Sequence, residues 1–129
     1  MKLDAATLAA VYAHAEEGYP EEVCGWLTDA AIVRCENELH ARNAYRFSAR
    51  DTIRLDASFS SAEPARVVYH SHVDASARFS ADDVRGAVVE GVPLWPVDWL
   101  VVEVHDGTAR RARCYRWADG RFVEIGAIA

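Results

Sequence analysis

From Asp4 to Glu17 the apolar residues Leu8, Val11, Tyr12 and Ala15 return every three to four positions behind a capping Asp4, and Gly18 and Pro20 follow. This spacing predicts an amphipathic helix with a defined stop. Two short strand-like runs come next, Glu22 to Leu27 and Ala31 to Leu39, about a Thr28-Asp29-Ala30 turn. The segment from Arg42 to Glu63 carries Arg50, Ile53, Leu55 and Phe59 without a clean period, so it reads as a surface excursion with room for a short helix. After Pro64, β-branched and aromatic residues lead from Arg66 through Val67, Val68 and Tyr69 into His70, Ser71 and His72, the pattern of a buried strand. Ser80 then caps a helical stretch through Val84, Ala87 and Val88 that runs to a stop at Gly91, Val92 and Pro93. Trp99 to His105, Ala109 to Trp117 and Arg121 to Ile125 finish the pattern as an antiparallel meander, joined by the hairpin signals Asp106-Gly107 and Asp119-Gly120.

Length and composition narrow this picture. With 129 residues, 51% of them hydrophobic, residues 1–129 are expected to form one compact domain around a single core. A net charge of −6 and scattered arginines disfavour a nucleic-acid partner. Asp4, Glu16 and Glu17 interrupt the N-terminal apolar run, so no signal peptide is read there, and no stretch approaches a membrane span. The three cysteines, Cys24, Cys35 and Cys114, are widely spaced and odd in number, which predicts free thiols in a reducing cytoplasm.

The candidate chemistry lies in the buried strand. Alternate residues of a strand face one side, so His70 and His72, about 6.6 Å apart at Cα, can converge on one ion. Two imidazoles make half a catalytic zinc site, which needs a third protein ligand and keeps a fourth position for water. Asp83, on the first turn of the helix that Ser80 caps, is the best candidate for that ligand. Taken alone, Ser80 and Asp83 are the S-x-x-D of a capping box, and a lone His-x-His is common in half-buried strands. The conjunction is the specific signal: His70-Ser71-His72, seven residues, Ser80, two residues, Asp83.

That run, HSHVDASARFSADD, resembles the signature of the JAMM (MPN-plus) zinc metallopeptidases, and YPEEVCGWL supplies their N-terminal glutamate, Glu22, two residues before Cys24-Gly25. The resemblance implies a cytidine-deaminase-like α/β fold, a central mixed sheet flanked by helices, in a compact prokaryotic-type member. It implies one zinc held by His70, His72 and Asp83, with Glu22 as general base and Ser80 as oxyanion donor. The implied reaction is hydrolysis of a peptide or isopeptide bond after the C-terminal glycine of a ubiquitin-like or sulfur-carrier protein. Val73 stands where relatives often have proline, which predicts a less rigid loop over the metal.

Three rivals are weighed against this. Cys24 has no dedicated histidine in the sequence and reads as a core residue rather than a nucleophile. The start of a metallo-β-lactamase motif, His70 to Asp74, is broken by Ala75. A non-catalytic MPN-like scaffold or interaction module is the remaining alternative, and such versions normally lose ligands that this chain keeps. The flanking segments Ser76 to Phe79 and Val92 to Trp99, with the aromatics Phe79 and Trp95, are expected to wall a groove for an extended substrate tail.

Overall fold

The computed structural model describes residues 3–127. Asp4 accepts a hydrogen bond from the Thr7 amide at 2.7 Å and opens helix α1, Ala5–Gly18, which buries Val11 and Ala15. Strands β1 (Cys24–Leu27) and β2 (Ile32–Cys35) form a hairpin. Within the segment without a clean period, Ser48 caps α2, Ala49–Ser58, whose Leu55 is fully buried. Strand β3 (Val67–Val73) follows, then α3 (Ala81–Ala87), a small pair β4 (Val88–Val89) and β5 (Val92–Pro93), and the meander β6 (Asp98–His105), β7 (Thr108–Ala118) and β8 (Arg121–Ala127).

Six strands form one sheet in the order β2-β1-β3-β6-β7-β8, in which only β3 and β6 are parallel. A parallel pair cannot be closed by a tight turn. The crossover from β3 to β6 therefore spans residues 74–97 and carries α3 beside the C-terminal half of β3. Period-two alternation sorts the side chains of the buried β3. Val67 and Tyr69 join Val11, Ala15, Leu100, Val102 and Val104 under α1, while Val68 packs with Trp26, Leu55, Ala87 and Trp99 on the opposite face. His70 and His72 share the parity of Val68, so the sheet presents both imidazoles on the face that α2 and α3 cover.

The predicted elements recur with shifted ends. The first strand begins at Cys24 and leaves Glu22 ahead of it, and β2 ends at Cys35 instead of continuing to Leu39. The helix after Ser80 stops at Ala87, not at Gly91, because Val88 is already extended (φ −130°, ψ 133°). Val84, Ala87 and Val88 fit a helical period, but β-branched Val88, Val89 and Val92 favour a hairpin once Glu90 and Gly91 take φ of 52° and 77°. Both predicted turns hold, with φ of 50° and 80° at Asp106-Gly107 and 53° and 80° at Asp119-Gly120.

Gly25 has a steric reason to be glycine. A Cβ there would lie 2.3 Å from the Val33 carbonyl oxygen and 2.6 Å from the Tyr69 hydroxyl. Tyr69 is fully buried and its hydroxyl also bonds His14 Nδ1 at 2.6 Å, so it has little freedom to retreat. Overpacking of this kind costs about 3 kcal/mol, and we expect Gly25→Ala to lower stability by that order in urea unfolding. An unchanged midpoint would show that β1 and β2 move apart freely.

Candidate metal centre

One nitrogen from each histidine and one carboxylate oxygen of Asp83 lie within 4.8 Å of one another. His70 Nε2 is 3.2 Å from His72 Nε2, Asp83 Oδ1 is 2.9 Å from His70 Nε2, and Asp83 Oδ2 is 3.1 Å from His72 Nε2. The three candidate ligands read from the sequence are therefore brought together. Two of them are held from behind by hydrogen bonds. His72 Nδ1 lies 2.7 Å from the Ser76 carbonyl oxygen, which can only accept, so Nδ1 carries a proton and in the neutral ring the Nε2 lone pair faces the cluster. Asp83 is oriented by the capping box of α3, with the Ser80 amide donating to Oδ2 at 2.9 Å and the Asp83 amide donating to Ser80 Oγ at 3.1 Å. The local capping and the inward aim of Asp83 are thus one arrangement. The His70 ring is fully buried and lies stacked on Tyr45, 4.3 Å between centroids at 20°, while its Nδ1 has no hydrogen-bond partner among the described residues.

The donor set suits a divalent cation. Two imidazole nitrogens and a carboxylate are the ligand types of an open zinc site, and lone pairs crowded at 2.9–3.2 Å need a cation or shared protons between them. Charge shifts express the same crowding. Burial lowers the His70 pKa despite Asp83. For His72, burial is outweighed by the hydrogen bonds to Asp83 and the Ser76 carbonyl and by the nearby carboxylate charges, leaving its pKa raised. Asp83 is held well below the carboxylate range because its hydrogen bonds with both histidines overcome its burial.

Glu22 stands beside this cluster. Strand β1 pairs with β3 through Cys24 opposite His70, and continuing that register by two residues sets Glu22 opposite His72 on the same face. Burial pushes its carboxyl up to about 8, with the His72 charge opposing and Asp83 reinforcing. Glu22, His72, Ser80 and Asp83 line one cleft of about 540 Å³, walled by Tyr45, Phe47, Leu94 and Trp95. A narrower cleft of about 310 Å³, flanked by Arg42 and Arg78, shares Glu22, His72 and Ser80.

One expectation is corrected here. Phe79 does not wall the cleft but turns into the core, 4.4 Å from the Phe122 ring and 5.2 Å from Tyr115 between centroids. The loop after His72, expected to be less rigid without proline, carries several hydrogen bonds. The Asp74 carboxylate accepts from Tyr19, Arg42 and the Asp106 amide, and the Ala77 amide donates to Glu103 at 2.8 Å. Cys24 is fully buried with its thiol pushed up to about 12 by burial, in keeping with a packing role. Tyr45 went unread because no periodicity in its segment marks it.

The sequence profile of a family described as prokaryotic homologs of the JAB domain matches residues 4–115. No curated protein matches the chain. The solution structure of a protein from Desulfitobacterium hafniense superposes with a TM-score of 0.75 at 18% identity, covering 95% of this chain and 88% of that one. A solution structure from Salinibacter ruber does so with a TM-score of 0.64 at 24% identity, covering 99% of this chain and 90% of the other. At such identities the likeness establishes the fold, and the chemistry rests on the site.

Proposed function

Because the chain belongs to the family of prokaryotic homologs of the JAB domain, we propose that it is a zinc-dependent hydrolase of the JAMM type. Its substrate in this reading is a ubiquitin-like or sulfur-carrier protein, cut at the peptide or isopeptide bond after the C-terminal glycine. The observation that carries the proposal is the convergence of His70, His72 and Asp83, with Glu22 lining the same cleft as His72 and Asp83. One zinc held by those three residues would supply a Lewis acid for the carbonyl and lower the pKa of water bound there. Glu22 takes the proton of the attacking water and returns it to the departing amine. Ser80 Oγ uses one lone pair to accept from the Asp83 amide, which leaves its own proton for the oxyanion that develops on the substrate.

Free Cys24, Cys35 and Cys114, and the absence among the described residues of a helix long and apolar enough to cross a membrane, are compatible with work in the cytoplasm. The cleft suits an extended tail, whose main chain can pass close to the ligands only where side chains are small. We expect cleavage of fusions that end in Gly-Gly at the cut, abolished by chelation and reduced at least about tenfold when the penultimate glycine becomes alanine, a loss of about 1.4 kcal/mol in the transition state. A panel of ubiquitin-like fusions followed by mass spectrometry checks this. Indifference to that glycine would refute the substrate assignment.

A further inference from the structure

Nothing in the ligand set explains why Glu22 stays in place, since it lies outside β1 and its backbone takes no part in the sheet. The Glu22 amide donates to the Ala41 carbonyl at 2.8 Å, and its carbonyl accepts from Asn37 Nδ2 at 3.0 Å. The next residue leaves the ladder in an unusual way. In a regular antiparallel pair Val23 would exchange two main-chain bonds with Ser71, whereas here the Ser71 amide donates to Val23 at 3.0 Å but the Val23 amide donates to Ser71 Oγ at 2.9 Å. A side-chain oxygen has replaced a main-chain one where β1 peels from β3, and Ser71 is fully buried between the two histidines.

Asn37 completes the clamp. Its Nδ2 also donates to the Ala44 carbonyl at 2.9 Å, and its Oδ1 accepts from the Leu39 and Arg46 amides at 3.1 and 3.2 Å. All the hydrogen-bonding capacity of this buried amide is used. It ties Glu22 to the segment carrying Tyr45, the ring stacked on His70. Neither Ser71 nor Asn37 lines the cleft that holds Glu22 and His72.

We propose that Ser71 and Asn37 are positioning residues that set the reach of Glu22 over the metal centre, Ser71 by capturing the Val23 amide and Asn37 by holding the Glu22 carbonyl. The proposal rests on Glu22 serving as the base. The clamp fixes one end of a proton transfer that tolerates little displacement, so its loss acts on the chemical step rather than on substrate binding.

The test uses Ser71→Ala and Asn37→Asp in the zinc-loaded full chain, with Ser71→Thr to restore the hydroxyl. Ser71→Ala is expected to lower kcat tenfold or more, with KM within twofold and zinc content unchanged, and Ser71→Thr to recover most of the rate. Asn37→Asp keeps the shape but loses both donated bonds, and is expected to act alike. In metal-free protein, amide hydrogen exchange at Val23 should quicken at least tenfold in Ser71→Ala while the Tyr69 and Val101 amides keep their protection. Unchanged kcat in both variants, or zinc lost in proportion to rate, would overturn the proposal. If wild-type protein hydrolyses nothing, the assigned activity fails, and equal Val23 exchange in wild type and Ser71→Ala then overturns the clamp as well.

Discussion

Glu22→Gln is expected to leave the fold and the metal in place and to remove about a hundredfold or more of turnover, the usual worth of a general base. A hundredfold is about 2.7 kcal/mol of transition-state stabilisation, large against any packing change from an exchange of such similar shape. The variant is sharpened by pH. In chelated protein the Glu22 carboxyl titrates at about 8 when folded, against 4.5 ordinarily, because burial disfavours its charge. Between those values the unfolded chain has released a proton that the native state keeps, so the Glu22 contribution to stability falls as pH rises through that window, by at most about 1.4 kcal/mol per pH unit. Glutamine has no such proton, so the difference between the two urea midpoints should grow from pH 5 to pH 8 in favour of Glu22→Gln. Ser80→Ala also slows the chemical step, but it removes the N-cap of α3 and with it about 1 kcal/mol of stability, a cost Glu22→Gln lacks. Wild-type kinetics in Glu22→Gln would assign the proton transfer to another group.

The parts of this architecture that could be read along the chain are those whose cause is local. Helix α1, the buried β3 and the two Asp-Gly turns each follow from a period or a dipeptide within a few residues. The ligands were legible for a different reason, since His70 and His72 share a strand face and Asp83 shares a first turn with its cap Ser80. What escaped has long-range causes, apart from one local hairpin masked by a competing helical period. The hairpin of β4 and β5 hides behind Val84, Ala87 and Val88, which satisfy a helical period until Glu90 and Gly91 adopt positive φ. Phe79 looked like a groove wall because its segment flanks the metal, yet Phe122 and Tyr115 draw it into the core. Asn37 stands fifteen residues from Glu22, in a run read as strand, and only the folded chain shows its amide holding the Glu22 carbonyl. Tyr45 met His70 across a segment with no pattern at all.

Loss of any one proposed ligand is expected to lower zinc affinity by more than the roughly 10–100-fold typical of an outer-shell partner, because in this reading three side chains share the ion. Purified wild-type protein should carry about one zinc per chain, and His70→Ala, His72→Ala and Asp83→Asn should carry little. Asparagine is the informative change at Asp83, since its carbonyl oxygen can still accept from the Ser80 amide and keep α3 capped while the anionic donor is gone. Metal binding should also appear as stability, about 2.7 kcal/mol at a free zinc concentration a hundred times Kd, so added zinc should raise the Tm of wild type and not of the variants. The two readouts separate a ligand from a merely structural residue: a variant that unfolds would lose zinc and Tm together even without added metal, whereas a lost ligand leaves the metal-free Tm near that of chelated wild type. Undiminished zinc in all three variants would reduce His70, His72 and Asp83 to a buried polar network, and Glu22 would then have no activated water to serve.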